Sequence, residues 1–266
     1  MRNKRLITAV IGIPLLYIIV WQLPTGYFAV LLCAAAGLGL YELFRMATLR
    51  NVRPVVIPGI ILGVLMVLNF FQPLLPDLGF GFLVTTSLLI IMVARLFSKR
   101  PVESALEDIA VTIFGIMYVA MLFGFQGAIR MGQDGKHWLV FMYLVIWASD
   151  TAAYYIGTAF GRHRLYEKVS PKKSVEGLAG GLAGAVSAAL LCRAVFMPEM
   201  GVLEAAVMGA VLSCVGVVGD LAESLIKRGV GVKDSGSLIP GHGGILDRMD
   251  AMLFAAPVMF YYLAVR

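Results

Sequence analysis

The residues best able to do chemistry crowd between positions 220 and 250. Asp220, Glu223, Ser224 and Lys227 recur at i, i+3, i+4 and i+7, so a helix would carry them on one face. From Lys227 onward the segment KRGVGVKDSGSLIPGHGGILDRMD carries seven charges and six glycines, and Asp247 and Asp250 close it at i and i+3. Hard divalent cations such as Mg²⁺ take oxygen ligands, usually one or two carboxylates plus substrate phosphates and water. Asp220 and Asp247, from neighbouring helices, would supply two such carboxylates, with Lys227, Arg228, Lys233 and Arg248 around them to neutralise phosphates. A glycine-rich backbone lets N–H groups approach anionic oxygens closely. Glycine is common in plain connectors, and carboxylates near a helix N-terminus are favoured by the dipole alone. It is the combination of glycine with bases and acids in one segment that points to a metal-assisted phosphate site.

Two further stretches belong to the same chemistry. Asp150 sits in VIWASDTAAYYIG, where a carboxylate has no apolar reason to be. The segment GRHRLYEKVSPKKSVEG brings Arg162, Arg164, Lys168, Lys172 and Lys173 together. Such a patch can bind an anionic lipid leaflet. Its SPKKS portion, read as a tight turn, could instead set Lys172, Lys173 and Ser174 on a nucleotide triphosphate. Cys33, Cys192 and Cys214 form no CxxC pair, and His137, His163 and His242 lack metal-ligand spacing, so neither a disulfide framework nor a zinc site is indicated.

The elements that hold these residues are apolar. Of 266 residues, 60% are hydrophobic and 14% charged, and the mean hydropathy is +0.87. Soluble domains carry about 45–50% apolar and about 25% charged residues. A membrane-spanning helix needs about 20 mostly apolar residues. Nine apolar segments meet or approach that length, at about 6–24, 26–47, 54–72, 78–97, 105–129, 137–160, 177–197, 202–228 and 248–265. The expected fold is therefore all-α: a polytopic membrane bundle of about nine helices, forming a single membrane domain over 1–266 with no soluble domain. Within it, 1–136 is expected to be scaffold with dimer contacts, and 137–266 to carry the active site. The basic N-terminus resembles a signal peptide, but its apolar run is long and no small-residue cleavage site follows, so it is read as a retained first span.

Charge orients the bundle. With the N-terminus inside, 18 of the 22 Lys and Arg residues fall on the cytoplasmic side, and Arg130, Lys136, Arg193 and Arg266 fall on the other. The net charge of +6 follows from that bias and needs no nucleic-acid partner. Asp150, Asp220 and Glu223 are then intramembrane acids, each costing about 2.5–3.5 kcal/mol at mid-bilayer. A functional site is the default reading of such groups; buried pairs that fix helix packing are the alternative.

The 27 residues SLIKRGVGVKDSGSLIPGHGGILDRMD, Ser224 to Asp250, resemble the phosphatidate cytidylyltransferase (CDP-diacylglycerol synthase) family. The matching positions are Ser224, Lys227–Arg228, Lys233–Asp234, His242–Gly243–Gly244 and Asp247–Arg248–Met249–Asp250. The similarity extends through SDTAAYYIG and SPKKSVEG, although Ser174 and Val175 stand where the family often has Thr and an aromatic residue. The N-terminal half matches in hydropathy only. The resemblance implies that CTP and phosphatidate give CDP-diacylglycerol and pyrophosphate, in phospholipid biosynthesis at the cytoplasmic face of the inner membrane. It also implies a homodimer and a Mg²⁺ cofactor, with a second cation as an extension of that assignment. Asp220 and Asp247 would bind Mg²⁺, with Asp250, Glu223 and Asp150 as further ligands or as groups orienting them. Lys227, Arg228, Lys233 and Arg248 would hold phosphates, and Ser224, Lys172, Lys173, Ser174, Gly243, Gly244 and His242 would contact substrate. His242 is equally well read as a loop-positioning hydrogen bonder. A CTP-dependent lipid kinase, an ion transporter using the intramembrane acids and an inactive scaffold are the competing readings.

Overall fold

A computed structural model of the chain describes residues 18–74, 79–237 and 243–266. The backbone is helical nearly throughout, in two compact units: residues 1–131 with 229–248, and residues 132–228 with 249–266. Among the described residues seven helices are long and apolar enough to cross a membrane, and one more is apolar but shorter. Eight of the nine expected segments thus appear as helices. The first lies largely outside the described residues, so the count of nine is not reached.

The first unit contains α1 (Thr25–Thr48), α2 (Val56–Phe71), α3 (Gly79–Leu96), a 3₁₀ turn (Val102–Ser104), α4 (Ala105–Gly115) and α5 (Leu122–Met131). A π-helical turn, Ile116–Met121, joins α4 to α5, so 102–131 runs as one span. At 16 residues α2 is the short helix. In lipid there is little hydrophobic gain from helix contact, and close approach at small residues drives packing instead. That pattern is present. A Cβ on Gly115 would fall 2.6 Å from Phe44, and one on Gly127 would fall 2.6 Å from Phe71. Aromatic rings fill the notches that these glycines leave.

One end of this unit is tied by ions. Asp108, fully buried, accepts from Arg95 Nε at 2.9 Å and from the Arg53 backbone N–H at 2.7 Å. Thr112 Oγ1 accepts from Val55 N–H at 2.9 Å and donates to the Asp108 carbonyl at 2.6 Å. The Arg95 guanidinium also donates to Ser98 Oγ and to the Pro101 carbonyl. Both connectors flanking this knot, 49–55 and 97–104, are thereby anchored to α4.

The second unit contains α6 (Gly135–Phe160), β1 (Arg164–Tyr166), β2 (Ser170–Ser174), α7 (Val175–Phe196), most of α8 (Val202–Val230) and most of α9 (Leu246–Val265). Helices α6 and α7 approach closely, because a Cβ on Gly180 would lie 2.6 Å from Ile156 and one on Gly184 2.6 Å from Ala152. Ser149 and Ser213 share a buried hydroxyl hydrogen bond of 2.8 Å between α6 and α8. Gly219 brings α8 onto α9, with no room for a Cβ beside the Asp250 carbonyl at 2.6 Å. At another end of the unit, Arg266 Nε meets Glu204 at 2.6 Å and lies 4.9 Å over the Trp138 ring.

The small sheet corrects one expectation. SPKKS is strand β2, paired antiparallel with β1 (Arg164 opposite Ser174, Tyr166 opposite Ser170), and is not a tight turn. Pro171 is compatible with strand here because a two-stranded ribbon has only edges, where a missing N–H leaves no inner ladder bond unmade.

Candidate active site

The side chains singled out in sequence gather in two clusters, one in each unit. In the second unit, α8 presents the expected polar face. Ser224 Oγ donates to Asp220 Oδ1 at 3.2 Å, and Lys227 Nζ lies 3.2 Å from Glu223 Oε1. Both contacts are i,i+4, the spacing at which helical side chains meet. Glu223 and Lys227 are buried, with side chains 1% and 9% exposed. The other contact to α8 comes from the hairpin: Lys173 Nζ lies 2.7 Å from Asp220 Oδ2. From α9, Asp250 accepts from the Ala251 N–H at 2.7 Å and lies near Glu223, Asp220 and Asp150. Asp220 and Glu223 of α8 thus meet the ammonium groups of Lys173 and Lys227, with Asp250 of α9 and Asp150 of α6 nearby.

Other residues expected at the site are placed less centrally. Lys172 is exposed on β2, and Arg228 is exposed at the end of α8, with Nε directed at the Val169 carbonyl at 3.4 Å. Ser174 is buried as the N-cap of α7, its Oγ accepting from Gly177 N–H at 3.1 Å. A capping hydroxyl of this kind satisfies one of the unpaired donors of the first turn. Its role is visible in the backbone geometry, whatever else it contacts.

The first unit holds the second cluster, built around the polar segment. Asp247 Oδ2 accepts from Ser235 N–H at 2.8 Å, Ser235 Oγ at 3.0 Å and Gly244 N–H at 2.8 Å. Gly243, at φ +85°, leaves no room for a Cβ, which would stand 2.5 Å from the same oxygen. Asp247 thus ties the two ends of the segment together. Lys233, Asp234 and Arg248 are exposed beside it. His242 lies outside the described residues.

One residue of this cluster was not singled out in sequence. Glu42 of α1 is 2% exposed and accepts from Ser235 Oγ at 3.0 Å, Ile245 N–H at 3.0 Å and Leu246 N–H at 3.1 Å. The available signal was an acid two turns from the end of an apolar segment, in LYELFR.

Among the described residues no group of three or more His, Cys, Asp or Glu side chains forms a preassembled metal cage. The cluster of the second unit holds more acids than bases.

Fold and site define a class first: a helical integral membrane protein with a carboxylate–lysine centre built on its transmembrane helices and a glycine-rich polar segment. The sequence profile of the cytidylyltransferase family matches residues 3–266. The chain belongs to that family. It is 32% identical over 274 residues to a phosphatidate cytidylyltransferase of Bacillus subtilis (strain 168), covering 98% of this chain and 97% of the relative. A phosphatidate cytidylyltransferase of Synechocystis is 32% identical over 290 residues, covering 99% and 97%. Another, of Staphylococcus saprophyticus, is 34% identical over 228 residues, covering 84% and 85%.

Proposed function

We propose that this protein is a phosphatidate cytidylyltransferase, converting CTP and phosphatidate to CDP-diacylglycerol and pyrophosphate. The observation that carries the reading is the 2.7 Å contact from Lys173 of β2 to Asp220, beside Asp250 and Glu223 on helices of membrane-spanning length. It is a charged centre made of acids and lysines, and its chemistry needs no protein nucleophile. The near full-length similarity to proteins named for this activity supports it independently.

In the proposed reaction a phosphate oxygen of phosphatidate attacks the α-phosphorus of CTP. The bond from that phosphorus to the bridging oxygen of the β-phosphate breaks, and pyrophosphate leaves with the electron pair. Positioning and charge neutralisation then supply the catalysis. Lys173, Lys227 and Arg228 would hold phosphate oxygens of the substrates; Lys172 and Ser224 would contact the nucleotide. Asp220 and Asp250 would hold Mg²⁺, with Asp150 and Glu223 as further oxygen donors. Bound there, the ion would polarise the reacting phosphoryl group and offset the charge on pyrophosphate. Because phosphatidate stays in the leaflet, the charged centre and the polar segment would face the cytoplasm from the inner membrane, as the bias of basic residues supports. We propose a homodimer on the same family footing.

The test is a labelled-CTP assay. Purified protein with Mg²⁺, phosphatidate and CTP labelled at the α-phosphorus should place label in the lipid product. Label ending in CDP would mean γ-phosphoryl transfer, the reaction of a lipid kinase, and would overturn the reading.

A further inference from the structure

Glu42 is a buried acid whose partners all lie on the polar segment, about 200 residues away in sequence. Two of them, Ile245 N–H and Leu246 N–H, are at the start of α9, where the first backbone donors of a helix have no intrahelical acceptor. A carboxylate there is also favoured by the helix dipole. The third, Ser235 Oγ, lies at the other end of the segment. The fit leaves no slack: a Cβ on Gly236 would stand 2.7 Å from Glu42 Oε1, and one on Gly244 2.5 Å from it. Ser235 is in turn bonded to Asp247, so the placement of Asp247 and its neighbour Arg248 follows from the Glu42 carboxylate.

We propose that Glu42 is a positioning residue for cytidylyl transfer: from α1 it clamps both ends of the segment 235–246 and so sets where Asp247 and Arg248 stand. The proposal rests on the nucleotidyl-transfer reading above. The carboxylate touches no substrate; it acts through the loop. A glutamine in its place keeps the shape but replaces one acceptor by an N–H₂ group facing a backbone donor, so the loop must shift. Displacement of reacting groups by about 1 Å can cost about 10²-fold in rate.

The experiment compares E42Q, S235A and G236A with wild type in the purified full chain, measuring kcat and KM for CTP and phosphatidate per monodisperse protein. Amide hydrogen exchange over 235–246 is read on the same samples. E42Q should lower kcat about 10²-fold, with KM for CTP changed less than about threefold, and should raise exchange in 235–246. G236A, which keeps the charge but crowds it, should show the same split. S235A should lose less, and the E42Q/S235A double variant should be no slower than E42Q alone. If E42Q fails to fold, G236A and S235A decide the matter. Wild-type kcat in the folded variants, losses confined to yield, or additive losses in the double variant would overturn the positioning role. Unchanged exchange would overturn the clamp itself. A wild-type protein that moves no label from CTP overturns the reaction, and that failure is recognised separately because the exchange readout does not depend on turnover.

Discussion

Removing the Lys173–Asp220 pair one charge at a time, and then whole, separates a catalytic role from a packing one. The two groups are 2.7 Å apart, with side chains 24% and 34% exposed. Partly solvated pairs of this kind contribute about 0.2–1 kcal/mol to stability. D220N and K173M should therefore each purify normally and melt close to wild type. Their effect on turnover is set by different physics. A charged or hydrogen-bonding group aimed at charge that develops in the transition state is worth about 2.7–4 kcal/mol, or about 10²–10³ in kcat. The contrast between a small stability loss and a large rate loss is the first signal. The second comes from K173M/D220N, which leaves no unpaired charge behind. If the contact only joins β2 to α8, the neutral double variant should recover. If both groups act on nucleotide phosphate and its cation, the double variant should be about as slow as the slower single, because residues that act as one unit are not additive. The assay is α-labelled CTP with phosphatidate in mixed micelles, normalised to monodisperse protein. A double variant within tenfold of wild type would refute the catalytic assignment.

D247N should also be slow, but it should melt lower than D220N. Its Oδ2 holds three donors of the polar segment, and weakening hydrogen bonds to a charged acceptor costs about 1.5–3 kcal/mol; thermal unfolding in detergent compares the two. R95M removes the 2.9 Å guanidinium contact from the fully buried Asp108 and leaves Arg100 Nη1 at 4.0 Å; such a loss costs up to about 3–5 kcal/mol, so its melting point should fall while kcat per folded molecule stays near wild type. Chelating divalent cations with EDTA should stop label transfer, and added Mg²⁺ should restore it; full activity in EDTA would remove the metal from the proposal.

What was legible in sequence was local. Hydropathy marked the helices because lipid demands long apolar runs, and α1 through α9 fall where such runs are. The pairs Ser224–Asp220 and Lys227–Glu223 follow from i,i+4 spacing, which periodicity shows directly. Longer-range partnerships left no such trace. Nothing near Lys173 announces Asp220, because β2 must first fold back on β1 to bring it there. SPKKS reads as a turn by its proline, yet the proline is harmless in a two-stranded ribbon. Asp247 could be read as a metal ligand or as an acid at a helix start, and its bonds to Ser235 and Gly244 depend on a loop closure that spacing does not reveal. Glu42 was hardest to see, since its partners lie 193 to 204 residues away.

The acids on these helices sort by the partner each has found. Asp108 and Glu204 are held by Arg95 and Arg266, and Glu42 by backbone N–H groups and a serine. A guanidinium is planar, always charged and weakly hydrated, and it fixes a carboxylate with several donors at once; a backbone amide cannot leave at all. Those three acids are built into the scaffold. Asp220 and Glu223 are instead met by Lys173 and Lys227. An ammonium on a flexible stem is a compact point charge with three rotatable donors, which can turn from one anionic partner to another. On the proposed reading, substrate binding would require such an exchange: a lysine would turn to a phosphate, and its carboxylate would be left to hold a cation. The choice of lysine over arginine at Asp220 and Glu223 thus fits the proposal that this cluster, and not the arginine-tied knots, carries the chemistry.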